Sequence, residues 1–172
     1  RLGLLFVTYF GSFVLPRLSN QGLGAIGATR DFNFWASQAQ WDGGHYWQIV
    51  KNGYESLSDY AFFPLYPFLT KILSVLLFGN IIFAGLLISN LAFLIFLIIF
   101  YTVIKKEFSQ NIALTTVVTF LMFPTAFFAV SMYSESLFLL TVSSFFYFLR
   151  QKRYLEASIF VGLASLTRLV GA

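Results

Sequence analysis

The chemistry in this chain is carried by few residues. Asp42 sits in Trp41-Asp42-Gly43-Gly44-His45-Tyr46, among aromatic side chains and beside two glycines. A carboxylate in such surroundings at a membrane surface is partly desolvated, which suits it to general-base work. The glycines leave backbone room for a bulky substrate. The same residue also suits an N-cap, accepting N–H bonds from Gly44 or His45 and opening a helix that ends near Asn52-Gly53. The two readings are compatible. His45 shares a helical face with Asp42 and Ile49. It can orient the carboxylate or bind a substrate hydroxyl, although a lone histidine is more often structural. Glu135 opens an apolar segment, where the helix dipole favours a carboxylate and Ser131 or Ser134 can cap the same end. An acid at membrane depth is equally a functional candidate. Arg168 lies near the end of the last apolar segment, where it either snorkels to an interface or meets an anion such as a lipid phosphate.

These residues are held by apolar elements. Of the 172 residues, 58% are hydrophobic and 10% charged, against about a quarter charged in a soluble domain. No Asp, Glu, Lys or Arg occurs between Lys71 and Lys105, or between Glu107 and Glu135. A spanning helix needs about 20 apolar residues, so the pattern is that of an all-α polytopic membrane protein. Five spans are expected: Leu2 to Pro16, Ile81 to Ile104, Asn111 to Val130 with a kink at Pro124, Glu135 to Leu149 with a few preceding residues, and Tyr154 to Ala172. Phe63 to Gly79 is apolar but short, and holds Pro64, Pro67 and Lys71. It reads as a re-entrant or interfacial segment.

Charge placement orients these elements. Lys105 and Lys106 lie in one short connection, and Arg150, Lys152 and Arg153 in another. Two spans separate them, so both face the cytoplasm under the positive-inside rule. Asp42, Glu135 and Arg168 then share the extracytoplasmic side. The loop from about 17 to 80 carries four basic and four acidic residues and is rich in Trp, Tyr and Phe. Such rings suit an interfacial belt or sugar stacking. The segment 1–172 reads as one transmembrane domain, the N-terminal part of a longer protein.

Several functions are excluded by counting. The chain has no Cys and one His, so no thiolate or histidine-cluster metal site is expected, and no Asp-x-Asp occurs. The net charge of +4 is scattered at helix ends, which argues for membrane topology and against nucleic acid. Gly22-Leu23-Gly24-Ala25-Ile26-Gly27 matches the dinucleotide pattern, but it follows a membrane segment and not a strand.

Four motifs together resemble a known family. Trp41-Asp42-Gly43-Gly44-His45-Tyr46 followed by Gly53-Tyr54, then Phe62-Phe63-Pro64-Leu65-Tyr66-Pro67, then Ser131-Met132-Tyr133-Ser134-Glu135-Ser136, then Leu166-Thr167-Arg168-Leu169-Val170-Gly171 are similar to the start of the GPI-anchor second mannosyltransferase family and its bacterial relatives. The resemblance implies a GT-C fold and an enzyme that uses a polyprenyl-phosphate sugar, typically dolichyl-phosphate mannose, outside the cytoplasm. It implies that Asp42 is the base that deprotonates a glycolipid or other acceptor, with inversion at the sugar. It implies no metal and no cofactor. Arg168 is the candidate for the leaving lipid phosphate, and His45, Tyr46 and Glu135 for lining the substrate cavity. The membrane is the plasma membrane in a prokaryote or the endoplasmic reticulum in a eukaryote. A transporter or flippase is the alternative, but no internal repeat is evident and the acids cluster in a loop. A non-catalytic subunit that binds a partner through the aromatic loop is the third reading.

Overall fold

The computed structural model describes residues 2–14 and 34–171. The Gly22 to Gly27 motif and the loop charges Arg17, Arg30 and Asp31 lie outside the described residues. The described chain is helical: α1 (Leu2–Val14), α2 (Phe34–Ser37), α3 (Asp42–Asn52), α4 (Leu65–Leu76), α5 (Ile81–Glu107), α6 (Gln110–Met122), α7 (Glu135–Arg150) and α8 (Tyr154–Ser165), with short 3-10 turns at Leu57–Ala61, Pro124–Phe127 and Leu169–Gly171. No strand occurs among the described residues.

Helix α5 is the axis. It packs against α4, α6 and α7, and α7 packs against α8. Only α5 among the described helices is both long and apolar enough to cross a membrane. The other expected spans are shorter as helices. The segment from Asn111 to Val130 does not kink at Pro124 but breaks. Helix α6 stops at Met122, Phe123 is extended, and Pro124 opens the 3-10 turn. Proline lacks the N–H a continuing helix needs and drives its predecessor out of the helical region. Helices α4 and α8 have 12 residues each. At 1.5 Å per residue each extends about 18 Å, short of a hydrocarbon core of about 30 Å.

The packing is inverted relative to a water-soluble helix bundle. On α4, Tyr66, Thr70 and Ser74 are buried along one face, while Phe68, Ile72 and Val75 point outward. On α5, Ala84, Gly85, Ser89 and Ala92 face inward, and Leu91, Leu94 and Ile98 outward. On α7, Ser136, Thr141 and Ser144 are buried. Small and hydroxylated residues allow close helix approach where lipid removes the hydrophobic drive between helices. The buried hydroxyls find carbonyls within the bundle: Thr70 Oγ1 donates to Tyr66 O at 2.9 Å and Ser89 Oγ to Tyr133 O at 2.9 Å.

The turn between Val130 and Glu135 wedges into this frame. Met132 is fully buried. A Cβ on Gly85 would lie 2.6 Å from Met132 Cγ, and one on Gly43 3.1 Å from the Met132 carbonyl oxygen. The Gly43 position therefore serves the approach of this turn, not the approach of a substrate. Met132 N–H donates to Gln38 O (3.0 Å), the Tyr133 hydroxyl to Gln40 O (3.0 Å), and Asn90 Nδ2 to Val130 O (3.1 Å). At the opposite end of the bundle Arg150 pairs with Glu107. Helices α5 and α7 thus run in parallel, with the basic connections at the end remote from Asp42.

The 3-10 turn at Leu57–Ala61 rests on Asp59, which is 1% exposed. Its carboxylate accepts from Ser56 N–H (2.8 Å) and Glu55 N–H (3.1 Å). These bonds, the Ser56 amide foremost, outweigh burial and hold the Asp59 carboxyl below the usual range. A lowered carboxylate contributes stability present above the ordinary Asp range and lost as pH falls through the lowered value. Hydrogen-exchange protection of the Glu55 and Ser56 amides should therefore fall in acid, and Asp59→Asn should flatten that dependence. Gly85→Val should drive Met132 from its seat and cost about 1–3 kcal/mol by overpacking, read as a lower unfolding midpoint in detergent. The cost of Gly85→Val should shrink in a Met132→Ala background, because the two residues share one space.

Candidate active site

Helix α3 begins at Asp42, but Asp42 does not cap it. Trp41 holds the N-cap position at φ 50°, and there is no side-chain cap hydrogen bond. The Gly43 and Gly44 amides instead donate to the carbonyls of Gln40 (3.0 Å) and Trp41 (2.9 Å). Asp42 is exposed on the first turn. The other end of α3 matches expectation: Gly53, at φ 92°, follows Asn52, and its N–H donates to Ile49 O at 2.8 Å. Only glycine takes that backbone conformation without strain.

Tyr46 lies one turn on from Asp42 and points inward. Its hydroxyl donates to Ser134 Oγ at 2.8 Å, and its ring meets Phe62 (5.1 Å between centroids) and Tyr66 (4.8 Å). Burial pushes its hydroxyl pKa up to about 12, so it remains a donor. Ser134 occupies the N-cap position of α7 without capping it, its oxygen being taken by Tyr46. His45 stacks on Phe62 with centroids 4.8 Å apart. Among the described residues it makes no hydrogen bond to Asp42, so the expected orienting contact is not formed.

Glu135 and Arg168 meet. One Arg168 guanidinium nitrogen donates to Glu135 Oε1, although 33 positions separate them in sequence. Both side chains are half-buried. An arginine guanidinium is not deprotonated in proteins, so the pair is ionic. Glu135 Oε2 is buried with no hydrogen-bond partner. The segment carrying Arg168 is anchored by Thr167, whose hydroxyl donates to Ala164 O at 2.6 Å, and by Leu65 N–H to Leu166 O at 2.9 Å.

Two openings meet at Asp42. One is a cleft of about 440 Å³ lined by Trp41, Asp42, Phe128, Tyr133 and Glu135. The other is a smaller pocket of about 190 Å³ lined by Asp42, Tyr46, Ala61, Phe62, Thr167, Arg168 and Leu169. Asp42, Tyr46, Glu135 and Arg168, drawn from three distant parts of the sequence, are thereby brought together, while His45 lines neither opening. The first opening has aromatic faces and carboxylates, the groups that stack on sugar rings and accept from hydroxyls. The second holds a guanidinium, the group suited to a phosphate. Trp41, Phe128 and Tyr133 were not singled out by sequence as lining residues. For Trp41 and Tyr133 the available signal was their place in the Trp-Asp and Met-Tyr-Ser-Glu motifs; Phe128 lies in neither. The Glu135–Arg168 pair had a signal too, as two isolated opposite charges assigned to one side of the membrane.

The comparisons with known proteins agree with the motifs. A family model described as Mannosyltransferase (PIG-V) matches residues 12–171, a span that includes α3, the turn before α7 and the Arg168 segment. No curated protein and no solved structure matches the chain. Residues that line both openings thus fall within the matched span, and the resemblance read from four short motifs extends over nearly the whole chain. The chain belongs to the PIG-V mannosyltransferase family and is a membrane glycosyltransferase.

Proposed function

We propose that this protein transfers mannose from a polyprenyl-phosphate donor to a hydroxyl of a glycolipid or other acceptor, with inversion, on the extracytoplasmic face of a multi-pass membrane domain. One observation carries the reading. Asp42 lines both openings, one with a cation and the other with aromatic walls and a second carboxylate. A base for an inverting transfer has to touch the acceptor hydroxyl while the leaving phosphate lies beyond the sugar carbon.

The step balances without a further reactant. The acceptor oxygen attacks C1 of mannose and forms the new glycosidic bond. The bond from C1 to the phosphate oxygen breaks, and its electron pair leaves with the lipid phosphate. The hydroxyl proton passes to the Asp42 carboxylate. Arg168 in the smaller pocket balances the charge gathering on the phosphate. Tyr46, a protonated donor on the wall of that pocket, and Glu135, on the wall of the cleft, line the substrate space. His45 supports it by stacking on Phe62. The basic connections at the far end of the bundle support an extracytoplasmic site, since Lys and Arg favour cytoplasmic loops. That face is outside the plasma membrane in a prokaryote and in the endoplasmic reticulum lumen in a eukaryote.

Two substitutions test this assignment. Asp42→Asn keeps the shape and removes the base. It should lower mannose transfer by about 10²–10⁴-fold, while the protein still inserts and elutes as one species in detergent. Transfer at the wild-type rate would end the assignment of Asp42. Arg168→Ala should raise KM for the polyprenyl-phosphate donor more than KM for the acceptor. An equal change in both would remove its phosphate role.

A further inference from the structure

The Glu135–Arg168 pair links the two openings. Glu135 lines the cleft, and Arg168 lines the smaller pocket. The link uses one oxygen of the carboxylate, and the other is buried without a partner, the one such side-chain atom among the described residues. A well-satisfied Arg–carboxylate pair engages both oxygens. This pair therefore leaves an acceptor unsatisfied in the resting protein.

Both partners can survive separation. Glu135 is the first residue of a 16-residue helix, where unpaired N–H groups favour a negative charge. The Arg168 backbone is fixed by Thr167 and by the Leu65–Leu166 bond, but its side chain is long and half-exposed.

We propose that Glu135 and Arg168 exchange partners when substrates bind. An anionic prenyl phosphate entering the smaller pocket takes the guanidinium. The carboxylate so released accepts a hydrogen bond from a sugar hydroxyl in the cleft. Glu135 thereby competes with the donor anion for Arg168 and reports its arrival to the acceptor side. The inference rests on the assignment of the phosphate to Arg168 and makes Glu135 a specificity-determining residue for the acceptor. Binding at one opening then favours binding at the other, since each substrate removes a cost the other meets.

The experiment uses the full-length protein and a binding readout that needs no turnover. Titration with farnesyl phosphate, followed by the fluorescence of Trp41 at the cleft, should show several-fold tighter binding for Glu135→Gln and Glu135→Ala than for wild type. In transfer assays with the natural class of substrates, both variants should show a higher acceptor KM and lower kcat. The wild-type affinity for farnesyl phosphate should rise when a mannolipid acceptor is present, and the variants should lose that rise. Weaker or unchanged farnesyl phosphate binding in both Glu135 variants would overturn the exchange and leave Glu135 as a prop for Arg168. Failure of the underlying reading looks different: farnesyl phosphate binding would then be indifferent to Arg168→Ala.

Discussion

The site depends on one turn being wedged between two glycines. Met132 is fully buried, its side chain against Gly85 on α5 and its carbonyl against Gly43 on α3. This contact fixes the distance between the soluble-looking α3 and the membrane-like α5. The residues that line the two openings are placed relative to it. Asp42 precedes Gly43 by one residue, Tyr133 follows Met132, and Glu135 begins the helix that the turn launches. A side chain at either glycine moves those groups relative to one another, and a misplacement of about 1 Å can cost 10²-fold in rate.

Hydrogen bonding secures what the wedge positions. The turn is tied to the link between α2 and α3 by Met132 N–H to Gln38 O and Tyr133 hydroxyl to Gln40 O, and to α3 itself by Tyr46 hydroxyl to Ser134 Oγ. In an apolar medium an unsatisfied group is expensive. The buried polar groups thus specify which surfaces meet, while the outward Leu, Ile and Phe side chains specify only that the surroundings are apolar. Glu135 Oε2 stands out against this background because the rest of the buried side-chain polar groups among the described residues are satisfied.

Much of this was legible in the sequence, and the parts that were not share a cause. Apolar runs, basic connections and the Gly53 stop depend on residue type and local spacing, and they read directly. Topology also assigned Asp42, His45, Tyr46, Glu135 and Arg168 to one side, and four of the five line the two adjoining openings. Asp42 was misread as a cap because local rules credit any Asp before a helix, whereas Trp41 in a left-handed conformation took that position. Pro124 was read as a kink because a span was expected to continue; the extended Phe123 shows the local preference prevailing. The Glu135–Arg168 contact and the Met132 wedge join residues far apart in sequence, and no local pattern encodes a distance.

The parallel course of α5 and α7 carries a consequence for how the chain is threaded. Residue Gly85 stands beside Met132 at one end, and Glu107 beside Arg150 at the other. From Gly85 to Glu107 the helix climbs about 30 Å, so the chain after Glu107 must come all the way back before α7 starts. The stretch that does so contains a helix of only 13 residues and a broken turn at Pro124. The return along the bundle is thus imposed here by the positions of its two neighbours, independently of its own helix length or hydropathy. The residues after Pro124 make up the remaining height in turns whose carbonyls and amides must be answered by protein, and Ser136, donating to Ala129 O, answers one of them.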